Sequence, residues 1–71
     1  MPYVNIKLVE GVFDDDQKQE MLSRITETMV DIEGEALRPY TLVTIEELRS
    51  GDWSVGGQTI TTQAARALRA V

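Results

Sequence analysis

Pro2 is the residue whose chemistry depends most on its place in this chain, because it directly follows the initiator methionine. Proline is small enough for that methionine to be removed, so we expect a chain that begins with a free secondary amine. An unperturbed α-amino group has a pKa of about 7.7–8.0, and burial among apolar groups lowers this pKa. An amine with a pKa near the working pH is an effective general base. Taken alone, however, Pro2 is explained more simply as the opening of a strand, where proline is tolerated.

Trp53 is the second residue that the sequence singles out. It is the only tryptophan, and it stands between a polar stretch, residues 46–52, and the pair Gly56-Gly57. A large aromatic side chain at such a place is consistent both with core packing and with the wall of a pocket. Its position in the sequence favours neither interpretation over the other.

The residues that are missing limit the other kinds of chemistry. The chain has no His and no Cys, which excludes disulfides, the common zinc sites and the usual nucleophilic triads. The acidic run from Asp14 to Asp16 is better explained as the start of a helix than as a metal site. We therefore expect no metal and no organic cofactor.

The composition indicates one small domain, residues 1–71, that needs a partner chain. A chain of 71 residues buries a limited core, and without disulfides or metal the remaining means of stabilisation is oligomerisation. The net charge of −5 without a basic stripe argues against nucleic-acid binding. No apolar run is long enough to span a membrane, and residues 1–13 do not form a signal peptide. A soluble cytoplasmic protein is the expectation.

The first half of the chain predicts a strand followed by a long helix. Residues 3–9 alternate between apolar and more polar side chains, as a strand does. Asp14 is a suitable N-cap, and Gln17 three residues later completes a capping box. Apolar residues at helical spacing continue to Glu33, where Gly34 ends the helix. Lys18 is expected to pair with Asp14 at four-residue spacing.

The second half predicts a connection, a strand, a hairpin and a short helix. Residues 35–39 form the connection, because Pro39 pushes its predecessor out of helical geometry. The β-branched and aromatic segment 40–45 is the second strand, and residues 46–52 are irregular. Segment 53–60 forms a hairpin around its Gly-Gly turn, and segment 61–70 forms a helix.

The predicted fold class is α/β: a single β-α-β unit with a C-terminal β-hairpin and a short helix. The two strands of such a unit are parallel and joined by a right-handed crossover. One helix covers one face of the sheet, whereas parallel sheets are normally covered on both faces. We therefore expect another chain to complete the fold.

Five segments occur together in an order and spacing that resemble those of the 4-oxalocrotonate tautomerase family. They are Met1-Pro2, Leu8-Val9-Glu10-Gly11, Asp14 with Gln17-Lys18, Glu46-Glu47, and Trp53-Ser54-Val55-Gly56-Gly57. The resemblance covers most of residues 2–60. It implies a tautomerase-like β-α-β chain assembled as a homohexamer, a trimer of dimers. It also implies that Pro2 is the base and that Trp53 is the aromatic wall of the pocket.

Two positions depart from the family's pattern. An arginine follows the Glu-Gly of the first strand in the family, where this chain has Val12, and a second arginine lies where this chain has Leu42. These arginines hold a dicarboxylate substrate in the family. Arg38, Lys7 and Arg49 are the nearby cations that could take their place. We expect a dicarboxylate such as 2-hydroxymuconate to be a poor substrate.

The resemblance implies a cofactor-independent isomerase that acts on a small enol or keto acid. Neutral Pro2 takes a proton and returns it to another carbon. Charge on the substrate oxygen is stabilised by donors such as the backbone near Val9, Tyr40 or Arg38. Three alternatives stay open: a non-catalytic partner subunit of a mixed hexamer, a structural or sequestering oligomer with a vestigial pocket, and a dehalogenase, hydratase or decarboxylase of the same superfamily.

Overall fold

The computed structural model describes residues 1–70, so the last residue of the predicted domain 1–71 lies outside the described part. The order of elements is strand, helix, 3-10 helix, strand, two-strand hairpin and helix. These elements are β1 (Tyr3–Val9), α1 (Asp15–Glu33), a 3-10 helix (Glu35–Tyr40), β2 (Leu42–Leu48), β3 (Trp53–Val55), β4 (Gln58–Ile60) and α2 (Thr62–Arg69). The predicted α/β class, with its hairpin and short final helix, is confirmed.

Helix α1 begins and ends where its capping residues predict. The Asp14 carboxylate accepts a hydrogen bond from the Gln17 amide at 2.8 Å, and the Gln17 side chain accepts one from the Asp14 amide at 2.9 Å. Gly34 adopts a positive φ of 103° and donates its amide to the carbonyl of Val30 at 2.8 Å. An N-cap of this kind stabilises a helix by about 1 kcal/mol.

The predicted pairing of Lys18 with Asp14 is wrong. The Lys18 ammonium lies 2.8 Å from the Glu47 carboxylate and 3.5 Å from that of Asp15. Asp14 accepts instead from the backbone as the cap, while Lys18 extends from α1 to the sheet. Its hydrogen bond lowers the pKa of Glu47, so this pair connects the helix to β2 only while that carboxyl is ionised.

Strands β1 and β2 are parallel, and their pairing corrects the predicted bounds of the second strand. The register runs from Tyr3 opposite Leu42 to Val9 opposite Leu48. The strand was predicted over 40–45, but Tyr40 still belongs to the 3-10 helix. At the other end, residues 46–48, predicted to be irregular, are extended because they hydrogen-bond with the last residues of β1.

The connection predicted at 35–39 is helical. Residues 35–40 form a 3-10 helix that includes Pro39, and the carbonyl of Arg38 accepts from the amide of Thr41 at 3.2 Å. The expectation that Pro39 would push Arg38 out of helical geometry is therefore wrong. A tight 3-10 turn this short depends on few amide donors, so the missing N–H of proline is tolerated here.

Hairpin β3–β4 and helix α2 have the predicted positions, with Thr61 as the N-cap of α2. Both are connected to the end of β1. The Ser50 amide donates to the Glu10 carboxylate at 3.1 Å, and the Thr62 amide donates to the Ser50 hydroxyl at 2.9 Å. The C-terminal elements are thus attached where β1 ends.

The core of a single chain is small. Within residues 1–70, Val30 is the one buried hydrophobic residue, while Leu42 and Leu68 are 55% and 73% exposed. The radius of gyration is 14.7 Å, whereas a compact domain of this length has one of about 11 Å. Tyr3 and Leu42, on the sheet face directed away from α1, are both more than half exposed, as expected if another chain completes the fold.

Acid should destabilise this fold through its ion pairs. Bonds from Arg38 lower the pKa of Glu27 and of Glu35, and Lys18 does the same for Glu47. Because the folded-state pKa values are depressed, this stabilisation is present above the ordinary glutamate pKa of 4.5 and disappears as the pH falls through the folded values. We expect the melting temperature to fall progressively below about pH 4.5.

Thermal melting followed by circular dichroism between neutral and acidic pH measures this effect. Arg38→Gln is the matched variant, because it removes the cation that two of the three carboxylates share. Its melting temperature should be lower at neutral pH and should depend less on acid. An acid-induced drop in Arg38→Gln as steep as that of the parent would contradict the prediction.

Candidate active site

An apolar cleft lies at the C-terminal end of β1. Its volume is about 460 Å³, and the indole of Trp53 forms one wall together with Val9, Val12 and Phe13. Leu68 of α2 also lines the cleft. The structure therefore brings together Val9 and Trp53, two of the predicted site residues, in a cavity large enough for a small organic acid.

Gly11 makes the close approach of α2 to this cleft possible. Its φ is +76°, and a Cβ at this position would lie 3.1 Å from the Thr62 methyl carbon and 3.6 Å from an Arg66 nitrogen. A side chain at position 11 would therefore strain the backbone and push α2 away. Because residue 11 is a glycine, α2 can pack against the β1–α1 turn, residues 10–13.

Helix α2 is bound to this turn by three side chains that share one helical face. The Thr62 hydroxyl donates to the carbonyl of Glu10 at 2.6 Å, Arg66 Nε to that of Gly11 at 2.7 Å, and Arg69 Nη1 to that of Val12 at 3.2 Å. Three donors spaced four and three residues apart thus reach three consecutive carbonyls. The Arg69 guanidinium also lies 4.7 Å from the centre of the Phe13 ring, within the range of a cation–π contact.

The sequence analysis singled out neither arginine of α2. Arg69 lines the Trp53 cleft beside Lys7. The signal was the spacing of Thr62, Arg66 and Arg69, which places them on one face of a helix. The spacing did not show that this face contacts the carbonyls of residues 10–12.

Pro2 lies at the other end of β1 from the cleft. Its carbonyl accepts from the amide of Leu42 at 3.1 Å, at the first pair of the parallel ladder. Val9 is seven residues further along the strand, a separation of roughly 23 Å at about 3.3 Å per residue. Within one chain, Pro2 and Trp53 are therefore not brought together.

Arg38 is held by two carboxylates. It donates to both oxygens of Glu27, at 2.8 and 2.9 Å, and its Nε donates to Glu35 at 2.6 Å. These bonds raise the pKa of the guanidinium and offset its charge. Tyr40 is exposed at the end of the same 3-10 helix, two residues before Leu42. Neither residue lines the Trp53 cleft.

Two other kinds of feature are absent from residues 1–70. None of the helices in this range has both the length and the apolarity needed to cross a membrane. The same residues include no group of three or more acidic side chains placed to hold a metal ion.

Comparisons with known proteins identify the family. The sequence profile of a family described as "Tautomerase enzyme" matches residues 2–63. A probable tautomerase of Dickeya dadantii is 30% identical over 67 residues, which are 94% of this chain and 98% of that protein. A protein of Bacillus subtilis named 2-hydroxymuconate tautomerase is 36% identical over 58 residues, 82% of this chain and 90% of its own length.

Solved structures agree with this assignment. The crystal structure of apo unfused 4-OT superposes with a TM-score of 0.74 at 29% identity, covering 94% of this chain and 98% of the other. The matched region contains the strand that Pro2 opens, the capped helix and the Trp53 hairpin. The chain therefore belongs to the 4-oxalocrotonate tautomerase family, and tautomerase activity is the class of activity that this membership supports.

Proposed function

We propose that this protein is a cofactor-independent tautomerase in which the amine of Pro2 moves a proton within a small enol or keto acid. The observation that carries the proposal is the apolar cleft formed by Trp53 and Val9 in a chain whose second residue is proline. Family membership supports the class of reaction. The name of the Bacillus subtilis relative, 2-hydroxymuconate tautomerase, supports an enol acid as substrate.

The proposed reaction needs one base and no oxidant or reductant. Neutral Pro2 removes the proton from the enol oxygen, and the oxygen's electrons form the carbonyl bond. The electron pair of the former carbon–carbon double bond then takes a proton from protonated Pro2. The amine returns to its neutral form, and the product is the keto acid. A pKa near neutral pH allows the same amine to act in both steps.

The main chain of Val9 is suited to stabilise the oxygen. The Pro2 carbonyl and the Glu10 amide both bond β2, at 3.1 and 2.8 Å. Because backbone groups alternate in direction along a strand, the Val9 amide is directed to the other edge of β1, which the described chain leaves unpaired. A preorganised N–H at a dry site stabilises developing negative charge on an oxygen.

The separation of Pro2 from the cleft supports the proposal that each active site is built from two copies of the chain. Pro2 of one copy would meet Trp53 and Val9 of another. The unpaired edge of β1 is bordered by an apolar cleft that includes Ile6, Met21 and Ile25, which is a suitable surface for a second copy. We propose a homo-oligomer, and the family resemblance favours a hexamer assembled from dimers.

Ketonisation of phenylenolpyruvate by the purified protein tests the proposed function. This enol acid has an apolar ring for the Trp53 cleft and one carboxylate, and its conversion is followed by ultraviolet absorbance. We expect turnover above that of buffer. Failure of Met1-free protein to convert any enol acid would contradict the proposal, and activity that appears only with a sister chain would favour the partner-subunit alternative.

A further inference from the structure

We infer that Arg66 and Arg69 form a carboxylate-binding site at the edge of the Trp53 cleft and hold the acid group of the substrate there. The inference rests on the proposed function, because it names the part of the same site that recognises the substrate's charge. Position 12 contributes an apolar side chain, Val12, so the positive charge at this turn comes from α2. Neither arginine was among the substitutes that the sequence suggested.

The distribution of ion pairs carries the inference. The chain has 12 acidic and seven basic residues. Each of four cations has a carboxylate within 4.0 Å: Lys18, Arg24, Arg38 and Arg49. Among residues 1–70, the other three form no such pair, and they are Lys7, Arg66 and Arg69. All three line the Trp53 cleft or the smaller cleft beside it.

This concentration is unexpected in an acidic protein. Carboxylates outnumber cations by five, so a cation placed without constraint would usually find one nearby. Among residues 1–70, the three cations without an ion pair all lie around these two adjoining clefts. A group of cations at a cleft attracts a small anion to it.

The two arginines are held in place but keep donors available. Arg66 uses Nε for the carbonyl of Gly11, and Arg69 uses Nη1 for that of Val12. A guanidinium has five N–H donors, so each arginine has others that these bonds do not use. The main-chain bonds fix the guanidinium positions before any ligand arrives, which reduces the entropy lost on binding.

The two adjoining clefts match the two parts of an enol acid. Val12 and Arg69 line both the apolar cleft of about 460 Å³ and a second cleft of about 320 Å³ that Arg66 and Ala70 complete. The apolar body of the ligand would contact Trp53, while its carboxylate would meet the guanidinium groups. A guanidinium binds the two oxygens of a carboxylate with well-matched geometry.

The site also explains why one carboxylate should suffice. Leu42, whose amide bonds the Pro2 carbonyl, places an apolar side chain at the Pro2 end of β1. A second carboxylate directed to that end would find no arginine at position 42. We therefore keep the expectation that a dicarboxylate gains little over a monocarboxylate, while adding that the first carboxylate is recognised strongly.

A purely structural role of these arginines is the alternative that the experiment must separate. Thr62 makes the same kind of bond to the turn as Arg66 and Arg69 but carries no charge. Thr62→Val therefore weakens the attachment of α2 without changing the charge at the cleft. Arg49→Gln is the second control, because it removes one positive charge from an exposed side chain that lines neither cleft.

The experiment measures binding by the fluorescence of Trp53, the only tryptophan in the chain. The probes are 3-phenylpropionate and its uncharged amide, 3-phenylpropanamide, neither of which can react. Arg69→Gln and Arg66→Gln should each weaken binding of the carboxylate about tenfold or more, and leave binding of the amide unchanged. Arg69→Lys should recover part of the loss. Arg49→Gln should bind both probes as the parent does, and Thr62→Val should affect the carboxylate and the amide equally.

Several outcomes would overturn the inference. They are equal weakening of both probes by Arg69→Gln, weakening of the carboxylate alone by Thr62→Val, and no binding of the carboxylate by the parent. Circular dichroism shows whether each variant stays folded. Because the probes bind without turnover, selective carboxylate binding in a protein that converts no enol would contradict the proposed function alone. Turnover that is indifferent to Arg69→Gln, in both KM and kcat, would contradict this inference alone.

Discussion

Protein that retains Met1 is expected to lose nearly all the enol–keto turnover of protein from which Met1 has been removed. With Met1 in place, the nitrogen of Pro2 belongs to a tertiary amide, which has no basic lone pair. With Met1 removed, the same atom is a secondary amine that can accept a proton. General-base catalysis contributes about 10²–10⁴-fold to a rate, and the loss should be of that size.

The cleanest comparison uses one preparation before and after treatment with methionine aminopeptidase. Intact mass gives the fraction of chains that begin at Pro2, and activity should increase in proportion to that fraction. Pro2→Ala is the matched variant, because it keeps an N-terminal amine but makes it primary and less constrained. Its activity should fall without vanishing. Equal activity in the Met1-retaining protein would show that Pro2 is not the base.

Local sequence signals predicted most of the helices, strands and turns. The bounds that they did not predict depend on pairing between strands distant in sequence. The capping box of Asp14 and Gln17, the stop at Gly34 and the Gly-Gly turn all act within a few residues, so the sequence alone was sufficient. The bounds of β2 depend instead on the residues of β1 opposite it. That information is absent from the 40–48 segment itself.

The candidate site shows the same division between local and long-range information. Pro2 and Trp53 were singled out by residue type and position, but their roles as base and pocket wall came from the family resemblance; the structure places Trp53 at a cleft. The arginines of α2 were missed because their position depends on the positive φ of Gly11 and on the carbonyls of the β1–α1 turn. Sequence spacing shows that such residues share a helical face, but not what that face contacts.

Mixing two impaired variants is expected to restore activity, because the proposed site takes Pro2 and Trp53 from different copies. Pro2→Leu removes the proline and, being large, should keep Met1 in place. Trp53→Ala keeps the amine but removes the wall of the cleft. In a mixed oligomer, a site that combines Pro2 of the second variant with Trp53 of the first contains both native residues. Random pairing of equal amounts gives such sites in about a quarter of cases.

The two variants are dissociated together in denaturant, diluted to reassemble, and assayed against each variant taken alone through the same procedure. Light scattering must show that both form the oligomer of the parent protein, and a folded monomer would contradict the assembly itself. If Pro2 and Trp53 acted within one chain, the mixture would show only the mean of its two components. The ends of β1 are roughly 20 Å apart, so Pro2 and Trp53 of one chain cannot belong to the same site. A mixture that shows only the mean activity would therefore mean that no site contains both residues. Activity well above the mean would therefore assign Pro2 and Trp53 of neighbouring chains to one active site.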